Sequence, residues 1–146
     1  MITENIKVSG QVGVELYSSS GELLHSAGFT NLVTTDGKEF LTRKLVDDPE
    51  KIEKIGIGSG TSAATLADTA LEASLSERDI RFQSTENNIA SFISTFEEDE
   101  PAVPVTVSEV GLLSDADLLI CRAVLDTPFT KATTDYLVIN WKLQIG

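Results

Sequence analysis

The sequence predicts a mainly β protein: a single β-sandwich or jelly-roll-like domain spanning 1–146, with roughly seven to nine strands and one short helix near 37–46. Three observations predict it. The stretch 136–145 alternates Leu137, Ile139, Trp141, Leu143 and Ile145 with Tyr136, Val138, Asn140, Lys142 and Gln144, the period of a strand with one buried and one wetter face. The preceding stretch, 105–125, holds two more β-rich runs parted by Ser114-Asp115-Ala116-Asp117, with no helical period between them. A helical spacing of apolar residues occurs in one short stretch only, after Thr34-Thr35-Asp36-Gly37.

Taken in order, Ile6, Val8, Gly10, Val12, Val14 and Leu16 alternate with polar positions and predict a long half-buried strand, with two glycines as candidates for a bulge. Ser18-Ser19-Ser20-Gly21 is a turn, and 23–32 returns as a second strand. His25, the single histidine, is read as structural. Asp36 is the expected helix cap, with Glu39 three residues on as in a capping box. Phe40, Leu41, Leu45 and Val46 supply the apolar face, and Asp47-Asp48-Pro49 ends the helix.

A short strand at 52–57 runs into Gly56-Ile57-Gly58-Ser59-Gly60. Thr61 stands where the third glycine of a dinucleotide fingerprint belongs, and no lysine follows to make a P-loop, so a sharp turn into a surface loop is the reading. The Thr-, Ala- and Ser-rich 61–75 is an extended connector with one helical turn near Leu71. Strands at 79–84 and 89–96 follow, and a turn centred on Asn87 places Phe82 opposite Phe92. Glu97-Glu98-Asp99-Glu100-Pro101 lacks the spaced ligands and glycine of a calcium loop and reads as a solvated acidic loop.

In the 105–125 hairpin, a turn between Asp115 and Ala116 sets Leu113 against Leu118, Gly111 against Ile120, and Glu109 directly across from Arg122. On their face stand Val107, Leu113, Leu118, Ile120 and Val124. On the other stand Val110, Leu112, Leu119, Cys121 and Leu125. A hairpin apolar on both faces must be covered on both, so Glu109 and Arg122 are expected to form a partly buried structural pair that sets register more than it adds stability.

With 23 acidic and 11 basic side chains the formal charge is −12, which argues against nucleic acid and anionic lipid as partners. One cysteine, Cys121, excludes an intrachain disulfide and a cysteine zinc site, and is expected as a buried inert thiol. No apolar run has the length of a membrane-spanning helix. Met-Ile-Thr-Glu-Asn at 1–5 lacks the basic and apolar regions of a signal peptide. No catalytic, cofactor-binding or metal-ligating residue is indicated, and an enzyme is not expected: one histidine and one cysteine, both in strand-like runs, leave only carboxylates, and Glu109 has Arg122 as its partner.

Several segments resemble, in order, a family of small virion proteins of tailed bacteriophages. Asn31-Leu32-Val33-Thr34 leads into the helix. Ile55-Gly56-Ile57-Gly58-Ser59-Gly60-Thr61 is similar to the family's Ile-Ala-Ile-Gly-Thr-Gly-Thr. Asp68-Thr69-Ala70-Leu71-Glu72, with Glu77-Arg78 after it, resembles its Asp-Thr-Ala-Leu segment and the arginine that follows, with the acidic residue early. Ser108-Glu109-Val110-Gly111-Leu112-Leu113, 118–124 and 137–143 resemble its Thr-Glu-Ala-Gly-Leu-Phe, Leu-Leu-Ala-Arg and Leu-x-Ile-x-Trp. The likeness covers 29–145 and leaves 1–28 outside, a candidate particle-specific hairpin. It implies a non-enzymatic structural protein located in the virion, as capsid decoration, neck or tail and fibre component, assembled with other phage structural proteins and with itself. A trimer follows by analogy. Apolar faces at 105–113 and 118–125 place the expected self-contact in the C-terminal third. The alternative is a host-receptor or carbohydrate-binding module on a phage appendage, for which Tyr17, Tyr136 and Trp141 are the candidate aromatics.

Overall fold

The computed structural model describes residues 5–146; residues 1–4, which hold most of the N-terminal stretch read for a signal peptide, lie outside it. Among the described residues ten strands and one helix follow one another as β1 Val8–Tyr17, β2 Leu23–Thr30, β3 Leu32–Val33, α1 Thr35–Lys44, β4 Ile52–Gly58, β5 Ser74–Asp79, β6 Phe82–Glu86, β7 Ile89–Phe96, β8 Val105–Ser114, β9 Leu119–Lys131 and β10 Tyr136–Ile145. They form two antiparallel five-stranded sheets, β2-β1-β10-β7-β6 and β3-β9-β8-β4-β5, packed as a sandwich with one more strand than the upper expectation.

The core is the meeting of two period-two patterns. Val12, Val14 and Leu16 of β1 and Leu137, Ile139, Trp141 and Leu143 of β10 face Ile55, Ile57, Val110, Leu112, Cys121 and Ala123 of the second sheet. Trp141, fully buried, donates from Nε1 to Asn31 Oδ1 at 3.0 Å, which satisfies its one polar atom. Asn31 in turn occupies the space that any side chain at Gly10 would need. That glycine makes room for a neighbour; the bulge of β1 against β2 lies at Leu16–Tyr17 instead. The expected strand 23–32 divides at Asn31, where the chain passes from one sheet to the other as β3.

The helix starts earlier than expected. Thr34, not Asp36, is the N-cap: its hydroxyl accepts from Gly37 N–H at 2.9 Å and lies 2.7 Å from Leu119 C=O, while its own N–H donates to Ile120 C=O. Anchoring Thr34 to β9 decides where the helix begins, and Asp36 falls in the first turn, where the helix dipole favours a carboxylate. Gly37 lies against the Ile120 backbone, too close for a Cβ. Phe40 enters the core, but Leu45 and Val46, expected on the buried face, follow the last helical residue and are 86% and 82% exposed.

Two strand readings are corrected. The expected strand 79–84 is two strands, β5 in one sheet and β6 in the other, with Ile80 and Arg81 turning the corner. The β6–β7 turn is Asn87-Asn88, with Asn87 at φ 53°, so Phe82 pairs with Ile93 and Gln83 with Phe92. A slip of one residue exchanges faces, and Phe82 is 61% exposed.

Candidate functional site

The outer face of the second sheet carries a polar network beneath the connector 59–73. Its geometry starts from the β8–β9 ladder. Gly111 pairs with Arg122 rather than with Ile120, and Glu109 pairs with Val124 rather than with Arg122, two residues out of the expected register. The turn is longer than expected: Asp117, at φ 65°, donates from N–H to Ser114 C=O, and the register shifts again so that Leu113 meets Leu119 rather than Leu118. The irregularity exchanges Leu119 and Ile120: Ile120 packs in the core, and Leu119 lies beside Gly111 on the outer side.

A two-residue error preserves the face, so Glu109 and Arg122 still meet, diagonally. Arg122 Nη2 and Nε lie 2.7 and 3.0 Å from Glu109 Oε2. Glu109 is wholly buried and Arg122 is 2% exposed, so the pair is more deeply buried than the sequence indicated. The connector completes it. Arg122 Nη1 donates to Asp68 Oδ2 at 3.0 Å, and the N–H groups of Glu72 and Ala73 donate to the Glu109 carboxylate at 3.1 and 2.9 Å.

Glycines make this possible. A Cβ at Gly58 would strike the Glu109 carboxylate and approach Ala73 C=O to 2.7 Å; one at Gly60 would come within 2.5 Å of Glu109 Oε2. Gly56 pairs with Gly111, and Leu71 covers both, its methyl groups 3.2 and 2.8 Å from where their Cβ atoms would stand. The sequence Gly56-Ile57-Gly58-Ser59-Gly60 therefore makes a floor for Leu71 and a slot for Glu109, more than a sharp turn. Ser108, at the β8 irregularity, donates to Gly60 C=O at 2.9 Å. The connector turns at 66–67, closed by Asp68 N–H on Thr65 C=O, and again at 72–73, directly after Leu71, without forming a helix.

The electrostatics are those of a closed lock. Burial disfavours the charge on Arg122, but its bonds to Glu109 and Asp68 outweigh this and hold its pKa above the ordinary arginine value. Asp68 is held below the usual carboxylate range, first by the Thr65 N–H and also by the Thr65 hydroxyl and Arg122. Glu72 is lowered by Ser62 and by the N–H groups of Thr61 and Ser62. An internal carboxylate thus takes those two N–H groups, at the end of the Gly-rich loop, at 2.9 and 3.4 Å. The network fastens a connector to a sheet.

Elsewhere the candidates separate. Cys121 is buried in the core, and burial pushes its thiol pKa far up. His25 stacks on Phe129, centroids 5.0 Å apart. In the acidic loop Glu97 pairs with Arg81 at 2.6 Å and Glu100 with Arg78 at 3.0 Å. Among the described residues no group of three or more His, Cys, Asp or Glu is placed to hold a metal ion. Trp141 is unavailable to a ligand in the core, whereas Tyr17 and Tyr136 are paired neighbours, half-buried on the outer face of the first sheet. Sequence reading missed Asp68 and Glu72 as parts of the network, since only folding brings them to Arg122 and the Gly-rich loop. It also missed Lys131, 1% exposed, whose Nζ donates to Glu97 C=O at 3.1 Å. Burial, partly offset by Asp135, Glu100 and Asp99, pulls its pKa below the ordinary lysine value.

No family model matches the chain, and neither the curated proteins nor the solved structures contain a match.

Proposed function

We propose that this protein is a non-enzymatic structural component of a tailed bacteriophage virion, a capsid decoration, neck or tail-associated protein that assembles with other virion proteins and with copies of itself. The reading rests on the phage-like segments, and one observation supports it above the others. Four of those segments, remote in sequence, converge on one site: Gly58 and Gly60, Asp68 to Glu72, Glu109 to Gly111, and Arg122. The residues that carry the likeness are thus those that build the clamp, as they would be if the likeness lay in a shared fold. The expected self-contact through the faces of β8 and β9 loses its motive, because the core covers one face and the connector, through Leu71, covers the outer face at Gly56 and Gly111.

Quantitative mass spectrometry of purified particles from the phage or prophage encoding the chain tests the proposal. A fixed copy number per particle supports it and separates a capsid ornament from a neck or tail part; absence from washed particles withdraws it. A host-receptor or carbohydrate-binding module is the second reading, favoured by the Tyr17–Tyr136 pair. Glycan-array binding lost in Tyr136→Ala would support that reading.

A further inference from the structure

Three strands of five or more residues lie at sheet edges, β2, β6 and β5; the fourth edge, β3, has two residues. Exposed edges pair with other chains unless charge, proline or irregularity blunts them. β5 carries Glu77, Arg78 and Asp79, and β6 ends in Glu86. β2, Leu-Leu-His-Ser-Ala-Gly-Phe-Thr, has no charged residue and no proline over eight residues, in a chain of net charge −12. No residue of it is fully buried, and Leu23 and Leu24 are each 50% exposed. Its one irregularity against β1 is confined to the hairpin end.

The ladder shows which groups are free. Asn31 N–H donates to Gly10 C=O, and the register continues as Thr30–Gln11, Phe29–Val12, Gly28–Gly13, Ala27–Val14 and Ser26–Glu15. Bonded and non-bonded pairs alternate in an antiparallel ladder, so Thr30, Gly28 and Ser26 turn their N–H and C=O groups away from β1. Among the described residues no other backbone group takes these up. Glu15, opposite Ser26 on β1, is one strand inward and accepts from the Tyr17 hydroxyl at 2.6 Å.

We propose that β2 is a self-pairing edge: two copies of this chain join β2 to β2 antiparallel about a two-fold axis at Ala27, so that Ser26 of one copy exchanges hydrogen bonds with Gly28 of the other. The uncharged edge admits a second copy as the occupant. Two chains each at −12 repel, and β2 is the long edge along which they meet without opposing charges. Centring at Ala27 also sets Leu24 against Thr30 of the other copy, engaging the whole free edge. Such a contact is isologous and closes at two. The inference is independent of the virion reading: a protein missing from particles would still dimerise.

Sedimentation velocity of the full chain across the micromolar range tests it, with Ser26→Lys, Ser26→Pro and, at the opposite edge, Ser84→Lys. The wild type and Ser84→Lys are expected to shift from monomer toward dimer with concentration, and both Ser26 variants to remain monomeric. The Ser26 N–H is unused within the chain, so proline breaks only the intermolecular ladder; if Ser26→Pro does not fold, Ser26→Lys decides alone. A wild type that stays monomeric, a trimer, a dimer that survives Ser26→Lys, or one lost equally in Ser84→Lys overturns the proposal.

Discussion

Arg122 and Glu109 are not opposite one another in the β8–β9 ladder, yet they form the most deeply buried ion pair among the described residues. Arg122 stands across from Gly111, and its guanidinium reaches back one pair along the same face to put Nη2 2.7 Å from Glu109 Oε2. The exposures of the two side chains, 2% and 0%, make each the other's necessary neutraliser. A buried ion pair adds little over an apolar substitute, whereas removing one member strands the other.

Arg122→Met is therefore expected to destabilise the protein by about 3–5 kcal/mol. Adding Glu109→Gln is expected to return about 1–3 kcal/mol, because a neutral amide can still accept from Ala73 N–H without leaving a lone buried charge. Urea unfolding of the two variants measures the difference. A double variant no more stable than Arg122→Met would show that Glu109 is not left uncompensated.

Gly60→Ala is expected to cost about 1–3 kcal/mol, since the added methyl would stand 2.5 Å from Glu109 Oε2 and from Glu72 Cβ and one of them must move. The connector should loosen with it, so limited proteolysis within 61–73 should speed up. Gly13→Ala is the control: nothing lies within 4 Å of its Cβ position, and its melting temperature should not fall.

Acid should release the connector. Asp68 and Glu72 both have folded pKa values below their unfolded ones, so their contribution is fully present above the unfolded values, near 3.9 and 4.3. It is lost as pH falls through the lower folded values. Amide exchange at Glu72 and Ala73, whose N–H groups bind Glu109, is expected to gain a pH-dependent opening below about pH 4. In Asp68→Asn that opening should already be present at neutral pH. An exchange profile in Asp68→Asn identical to wild type would detach Asp68 from the clamp.

Cys121, fully buried with a raised thiol pKa, should resist thiol reagents in the native protein and react only at the rate of unfolding. Reaction with a disulfide reagent before and after denaturation checks this. Rapid native labelling would place the thiol within reach of solvent.

The alternating faces were legible in the residue pattern alone. Leu137, Ile139, Trp141 and Leu143 are buried together because a strand has a period of two, and no tertiary knowledge is needed to read it. The association of Glu109 with Arg122 was legible for the same reason: both lie on one face of one hairpin, and a slip of two positions leaves them there. Registers were not legible, because they turn on single residues in turns. Asn87-Asn88 moved Phe82 to the surface, and the Asp117 turn carried Ile120 into the core. Nor could the sequence say that Gly58, Gly60, Asp68 and Glu72 belong to the same site as Arg122. Their spacing matches no local motif, and their roles come from how closely a connector can approach a sheet, a distance decided only when both are folded. The tertiary structure also decided that β8 and β9 need no second subunit to cover them. Leu71, from 40 positions before Gly111 in the chain, settles on the two glycines and closes the outer face at that point.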